Sequence, residues 1–143
     1  TAAQQGHTAA LEVIVKAPGC DVNQAEVNGL SPAHFAAQKG QTATLKVLVK
    51  APGCDVNQAG EYGATPAHFA AQQGHTAALE VLIGAGCDVN QAAQNGWTPA
   101  SLAARNGMTA ALKAIALRDA LKEKNRKKNT KKKEKKKKQR NRE

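Results

Sequence analysis

The sequence predicts an all-α repeat protein in which helix–turn–helix units stack in a row. The prediction rests on three motifs that recur in the same order in successive segments of the chain. Motifs repeated at a fixed period are the sequence signature of architectures in which each unit buries its apolar face against its neighbours. The motifs are Gly-Cys-Asp-Val-Asn-Gln-Ala at residues 19–25, 53–59 and 86–92, spaced 34 and then 33 residues; Ser/Thr-Pro-Ala at residues 31–33, 65–67 and 98–100; and Gly-x-Thr-Ala at residues 6–9, 40–43, 74–77 and 107–110.

Each complete unit is expected to begin with a short helix. Ser31, Thr65 and Thr98 are good N-cap residues. The Pro after each fits the first helical position, where its missing N–H has no helical partner. We expect a helix of about eight residues. It should end at a Gly in the left-handed conformation, which is Gly40, Gly74 or Gly107.

A second helix and a hairpin complete the unit. Thr42, Thr76 and Thr109 are predicted to cap the second helix. Its apolar residues fall on one face at helical spacing; in one unit they are Ala78, Leu79, Leu82 and Ile83. The pair Asn95-Gly96 that follows suits a tight hairpin turn.

The period and wording of these motifs resemble the ankyrin repeat over residues 1–117. The resemblance implies a solenoid with β-hairpin loops and units at about residues 1–25, 26–59, 60–92 and 93–121. Ala33, Ala67 and Ala100 stand where the family commonly has Leu, and we expect the larger residue two positions on to refill that space. Ser101 replaces His in the last unit, as expected of a terminal cap. Thr1 falls inside a first helix, so we expect the chain to be a fragment.

The thiols and imidazoles favour structural roles over chemistry. Cys20, Cys54 and Cys87 share one repeat position. Stacked units lie about 8–10 Å apart, whereas a disulfide needs Cα atoms about 4.4–6.8 Å apart, so we expect three free, buried and inert thiols. The resemblance implies that His34 and His68 hydrogen-bond the cap and loop. Because repetition explains the candidate residues, we expect no catalysis, metal, cofactor or small-molecule substrate.

Partner binding is the function that the resemblance implies. Ankyrin repeats bind other proteins through hairpin tips and the exposed face of the first helices. Tyr and Trp are enriched at binding hot spots, although packing of Trp97 across its own hairpin is an equal alternative. The matching positions are Glu26, Val27, Asn28, Leu30, Glu61, Tyr62, Ala64, Gln94, Asn95 and Trp97 at the tips, and Gln4, Gln5, Gln38, Lys39, Gln72, Gln73, Arg105 and Asn106 on the helices.

Positive charge is confined to one end of the chain. The net charge is +10, yet residues 1–117 hold 6 basic and 7 acidic residues, while residues 118–143 hold 15 basic and 4 acidic ones. We expect residues 122–143 to be a tail that is disordered or a fraying helix, because its like charges repel. Its candidate polyanion-binding or nuclear-import residues are Lys127, Lys128, Lys131, Lys132, Lys133, Lys135, Lys136, Lys137, Lys138 and Arg140.

Three hypotheses for function remain open. The first is an intracellular scaffold, cytoplasmic or nuclear, that binds another protein through the repeat face; three unpaired thiols suit such a compartment. The second is a binder of nucleic acid or anionic membrane that works through the tail. The third is a piece of a larger multidomain protein. The tail equally fits a role in solubility alone.

Overall fold

The computed structural model describes the backbone of residues 2–142 and the side chains of residues 7–142. Within that part the chain is helical, with turns and loops between helices and no strand. Thr1, Gln4 and Gln5, named above for the first helix, therefore lie outside the residues or side chains that are described. The helices are α1 (Ala2–Val15), α2 (Pro32–Gln38), α3 (Thr42–Lys50), α4 (Pro66–Gln72), α5 (Thr76–Gly84), α6 (Pro99–Arg105) and α7 (Thr109–Arg140).

The first helix of each complete unit begins and ends as predicted. Ser31, Thr65 and Thr98 are the N-cap residues of α2, α4 and α6, and a Pro occupies the start of each helix. Each helix is seven residues long. The glycine beyond each helix has a positive φ, for example 67° at Gly40 and 73° at Gly74. Since only glycine adopts this conformation without cost, these residues fix the direction of the chain after the helix.

The prediction that threonines cap the second helices is wrong by one residue. The carbonyl of Gln41 accepts the N–H of Leu45 at 2.9 Å, which makes Gln41 the N-cap and places Thr42 inside α3. His75 and Met108 occupy the same position before α5 and α7. Because the left-handed glycine already turns the chain, each helix starts one residue earlier than the cap type suggested.

Two rows of helices form the core. α2, α4 and α6 pack in one row, and α1, α3, α5 and α7 pack in the other. Leu45, Leu79 and Leu82 are fully buried, as expected for the apolar face of the second helices. Ala33 and Ala67 are buried as well, and a side chain this small lets neighbouring first helices approach closely. α1 is one continuous helix that stacks on α3, where each later unit has two helices.

Hairpins connect the units even though they contain no assigned strand in the described residues. In the first, the N–H of Glu26 donates to the carbonyl of Leu30 at 3.1 Å, and Ala93 and Trp97 make the same bond in the last. The tips also bond to one another: the N–H of Gln94 donates to the carbonyl of Tyr62 at 3.0 Å. The hairpins therefore form a continuous hydrogen-bonded edge along the stack.

The basic segment departs from the expectation of a disordered or fraying tail. α7 runs from Thr109 to Arg140 without interruption. Residues 108–143 contain neither Gly nor Pro and consist largely of Ala, Leu, Lys, Arg, Glu and Gln, all good helix formers. Lys and Arg in the last turn also interact favourably with the helix dipole, which offsets part of their mutual repulsion. In the described residues, no helix is long and apolar enough to cross a membrane.

Candidate functional site

Buried histidines hold the hairpin tips in place. The Nδ1 of His34 accepts the N–H of Ser31 at 3.0 Å, so Nε2 carries the proton and donates to the carbonyl of Ala64 at 3.0 Å. His68 repeats the arrangement with Thr65 and with the carbonyl of Trp97 at 2.9 Å. Burial lowers the pKa of both imidazoles, although the carbonyl bonds oppose the shift. Each ring therefore joins the cap of one unit to the hairpin of the next.

Asparagines make a second series of bonds between units. The Oδ1 of Asn23 accepts the N–H of Asp55 at 2.8 Å, and the Oδ1 of Asn57 accepts the N–H of Asp88 at 2.7 Å. Gln58 adds a bond from its Nε2 to the carbonyl of Asn23 at 2.9 Å. Asn23, Asn57 and Gln58 recur in the first motif, but the motif alone predicted no role for their side chains. Together with the histidines they fix the relative placement of neighbouring hairpins.

A groove lies between the last two hairpins and helices α4 and α6. It has a volume of about 300 Å³. Six of the predicted binding residues line it, whereas Glu61 lies in a separate, open depression beside Glu26 and Val27. We call this the tip groove; its lining residues are Ala64, His68, Gln72, Ala93, Asn95, Trp97, Leu102, Arg105 and Asn106.

Trp97 is the aromatic residue of the tip groove. The guanidinium of Arg105 lies 5.3 Å from the centre of the indole ring, within the range of a cation–π contact. The side chain keeps 38% of its surface exposed. The ring therefore packs against Arg105 of α6 and keeps part of its surface open to solvent. Tyr62, in the preceding hairpin, is 69% exposed.

Comparison with protein families supplies the assignment. The family model described as ankyrin repeats (3 copies) matches residues 1–93 and 67–134. The chain belongs to the ankyrin-repeat family. A search of curated proteins gives no significant match. Ankyrin repeats are generally protein–protein interaction modules and form a non-catalytic class of binding scaffold.

Some predicted contact residues of the ankyrin array form hydrogen bonds to a neighbouring unit, and others are exposed. The Nδ2 of Asn106 donates to the carbonyl of Ala71 at 2.7 Å, and the Nε2 of Gln94 donates to the carbonyl of Glu61 at 3.3 Å. These amides therefore help to hold neighbouring units together. The side chains at the C-terminal ends of α2 and α4 are exposed; they are Gln38 and Lys39, and Gln72 and Gln73.

The expectation of three buried thiols in the ankyrin array is wrong for Cys20 and, in part, for Cys54. All three thiols are free, but Cys20 is exposed, Cys54 is intermediate and Cys87 is buried. Burial raises the pKa of Cys54, and it raises the pKa of Cys87 to about 11 despite the opposing charge of Arg118. The repeat position is the same, but Cys20 precedes the first complete unit, next to a linker that packs less tightly. In the described part of the chain, no group of His, Cys, Asp or Glu is arranged to hold a metal ion.

Proposed function

We propose that the ankyrin array binds a protein partner along the face formed by the hairpin tips and helices α2, α4 and α6. The observation that carries the proposal is the tip groove, where Trp97 and Arg105 meet beside polar side chains. Trp, Tyr and Arg dominate the energetics of protein interfaces. The side chain of Trp97 is 38% exposed, so a side chain or loop of a partner can reach the indole ring.

The charge of this face favours a protein over a polyanion. Its polar residues are mainly Gln and Asn, with Glu26, Lys39, Glu61 and Arg105 as the charged members. A phosphate-binding surface needs several uncompensated Lys and Arg side chains. Amides instead supply donors and acceptors for a polar interface in which a few aromatic and Arg anchors supply most of the affinity.

Rigidity of the tips supports the same proposal. The bonds from His68 to Trp97 and from Gln94 to Tyr62 hold two consecutive hairpins in one arrangement. A preformed surface loses less conformational entropy when a partner binds, which leaves more of the contact energy for affinity.

The test uses peptides that are selected from a random displayed library for binding to the full chain. For a peptide that occupies the tip groove, Trp97→Ala should weaken binding by at least about thirtyfold, equivalent to about 2 kcal/mol at a hot spot. Arg105→Ala should also weaken it, and Arg105→Lys should restore little because Lys lacks the planar guanidinium. Lys113→Ala on the exposed side of α7 is the matched control and should have no effect. Selected peptides that bind all four variants equally would place the interaction elsewhere.

We further propose that the scaffold works inside the cell, in the cytoplasm or the nucleus. Cys54 and Cys87 are free thiols within the repeat stack, and free thiols persist where the compartment is reducing. Imaging of a fluorescently tagged chain tests this, and its appearance in an oxidising secretory compartment would contradict it.

A further inference from the structure

The last part of α7 is a helix with charge and no apolar residue. Leu121 is the final apolar side chain, and residues 122–140 extend beyond it for about 28 Å at 1.5 Å per residue. We call residues 122–140 the basic rod. It contains 13 Lys and Arg residues and 2 Glu residues. Only Glu123 forms ion pairs among the described residues, at 2.9 Å to Arg126 and 3.8 Å to Lys127, so the positive charge is largely uncompensated.

The positive charge covers most of the circumference of the rod, and one strip, formed by Glu123, Thr130 and Glu134, carries no basic residue. At 3.6 residues per turn, each residue is rotated by about 100° from the one before it. On that basis the basic residues fall into three groups on different sides of the helix axis, and the side chains are exposed on all of them. The first side carries Lys122, Arg126, Lys133, Lys137 and Arg140; the second carries Lys124, Lys127, Lys131 and Lys138; the third carries Lys128, Lys132, Lys135 and Lys136.

The base of the rod is fixed to the repeat stack. Nη1 of Arg118 donates to the carbonyl of Cys87 at 2.7 Å and to that of Ile83 at 3.3 Å, at the end of α5. A cation at the C-terminal end of a helix is stabilised by the helix dipole as well as by the hydrogen bonds. The helix is continuous from this anchor to Arg140, so the rod leaves the stack in a defined direction.

We propose that the basic rod binds double-stranded DNA by lying in the major groove. The groove is about 12 Å wide and admits an α-helix, with a phosphate backbone on either side. Duplex DNA carries one negative charge per about 1.7 Å, so about 16 phosphates accompany 28 Å of its axis. A rod with basic residues on three sides of its axis can pair with both backbones at once.

An anionic membrane fits the rod less well. Helices that lie in a membrane surface bury an apolar face, and residues 122–140 contain no apolar side chain. On a flat surface, the far side of a helix about 10–12 Å across is screened, since the Debye length at physiological salt is about 8 Å. Only one of the three charged sides would then contribute strongly. The distribution of charge over three sides therefore favours a groove.

The binding is independent of base sequence. No aromatic residue lies within residues 122–140, so there is no base-stacking surface, and Lys pairs with phosphate as a point charge. If the rod pairs with about six phosphates, raising the salt concentration from about 50 to 200 mM should lower the affinity by about 10³-fold. This activity is separate from the proposed protein-binding face and does not depend on it.

The experiment titrates the full chain against a labelled DNA duplex of about two helical turns. Three variants each replace three lysines on one side of the rod by Gln, which keeps helix propensity. They are Lys122, Lys133 and Lys137 on the first side; Lys127, Lys131 and Lys138 on the second; and Lys128, Lys132 and Lys135 on the third. The same triplets replaced by Arg are the matched controls, and circular dichroism verifies the helix in every variant.

At least two of the three Gln variants should each weaken duplex binding by more than about tenfold and reduce the salt slope by about 2–3, near one per lost phosphate contact. The Arg controls should bind like the unaltered chain. Three outcomes would overturn the proposal: loss confined to a single side, equal binding of single-stranded DNA, or binding of phosphatidylserine vesicles without binding of the duplex.

Discussion

Replacement of His68 tests how the units are joined. The ring is 3% exposed and connects the N–H of Thr65, at 3.0 Å, with the carbonyl of Trp97, at 2.9 Å. His68→Ala removes both bonds and leaves the buried N–H of Thr65 without a partner. An unsatisfied buried donor costs about 1–3 kcal/mol and a lost bond about 1 kcal/mol. The expected loss in the free energy of unfolding is therefore about 2–4 kcal/mol.

The chain supplies its own matched control. In the last unit Ser101 stands at the position of His68, and its Oγ accepts the N–H of Thr98 at 2.9 Å. His68→Ser should therefore keep the cap bond and lose only the bond to Trp97, at a cost of about 1–2 kcal/mol. Ser101→His should add little, since no hairpin follows α7 in the described residues to accept its proton.

Urea unfolding of the full chain, followed by circular dichroism, measures these differences. The order of stability should be unaltered chain, then His68→Ser, then His68→Ala. The reasoning would be refuted if His68→Ala cost less than about 0.5 kcal/mol, since a buried unpaired N–H costs more than that. Equal losses for the Ser and Ala variants would show that the cap bond contributes nothing measurable.

Two further predictions concern titration and thiol access. Burial lowers the pKa of His34 and His68 below the ordinary value of 6.5 for histidine, so the unfolded state binds more protons below that pH. The urea midpoint should therefore stay constant above about pH 6.5 and fall as the pH is lowered below it, and a midpoint that rose on acidification would contradict this. A thiol reagent at neutral pH should modify Cys20 first, Cys54 more slowly and Cys87 last, because the exposure decreases in that order. Equal rates for the three thiols in the native chain would show that the stack opens before it reacts.

The features that could be predicted from the sequence are local ones. Ser31 with Pro32 marks a helix start and Gly40 marks the end of that helix, because capping and a positive φ depend on a few adjacent residues. The exposed candidates Tyr62 and Trp97 were found through the matching positions of the family. Trp97 has the partly exposed ring that a contact residue needs.

The features that escaped prediction depend on neighbours. The side chain of Asn23 accepts a hydrogen bond from the backbone N–H of Asp55 in the next unit, and the sequence of a single unit does not predict this contact. The repetition of Asn at one position in the first motif was the available signal. Cys20 was expected to be buried because Cys87 occupies the equivalent position, but burial depends on what packs on each side. The helix of the basic rod was underestimated because repulsion among lysines was given more weight than their helix propensity.

The bonds between units have a consequence for how such a chain can change over time. His34 and His68 donate to backbone carbonyls, and Asn57 accepts from a backbone N–H, so the side chains of the neighbouring unit take no part. Leu30, Ala64 and Trp97 occupy the same hairpin position, and this variation leaves the two histidine bonds intact. Recombination could therefore exchange or duplicate units, and mutation could diversify their tips, without a compensating substitution in the neighbouring unit. A new recognition residue can arise at a hairpin position where the backbone carbonyl, and not the side chain, makes the hydrogen bond between units.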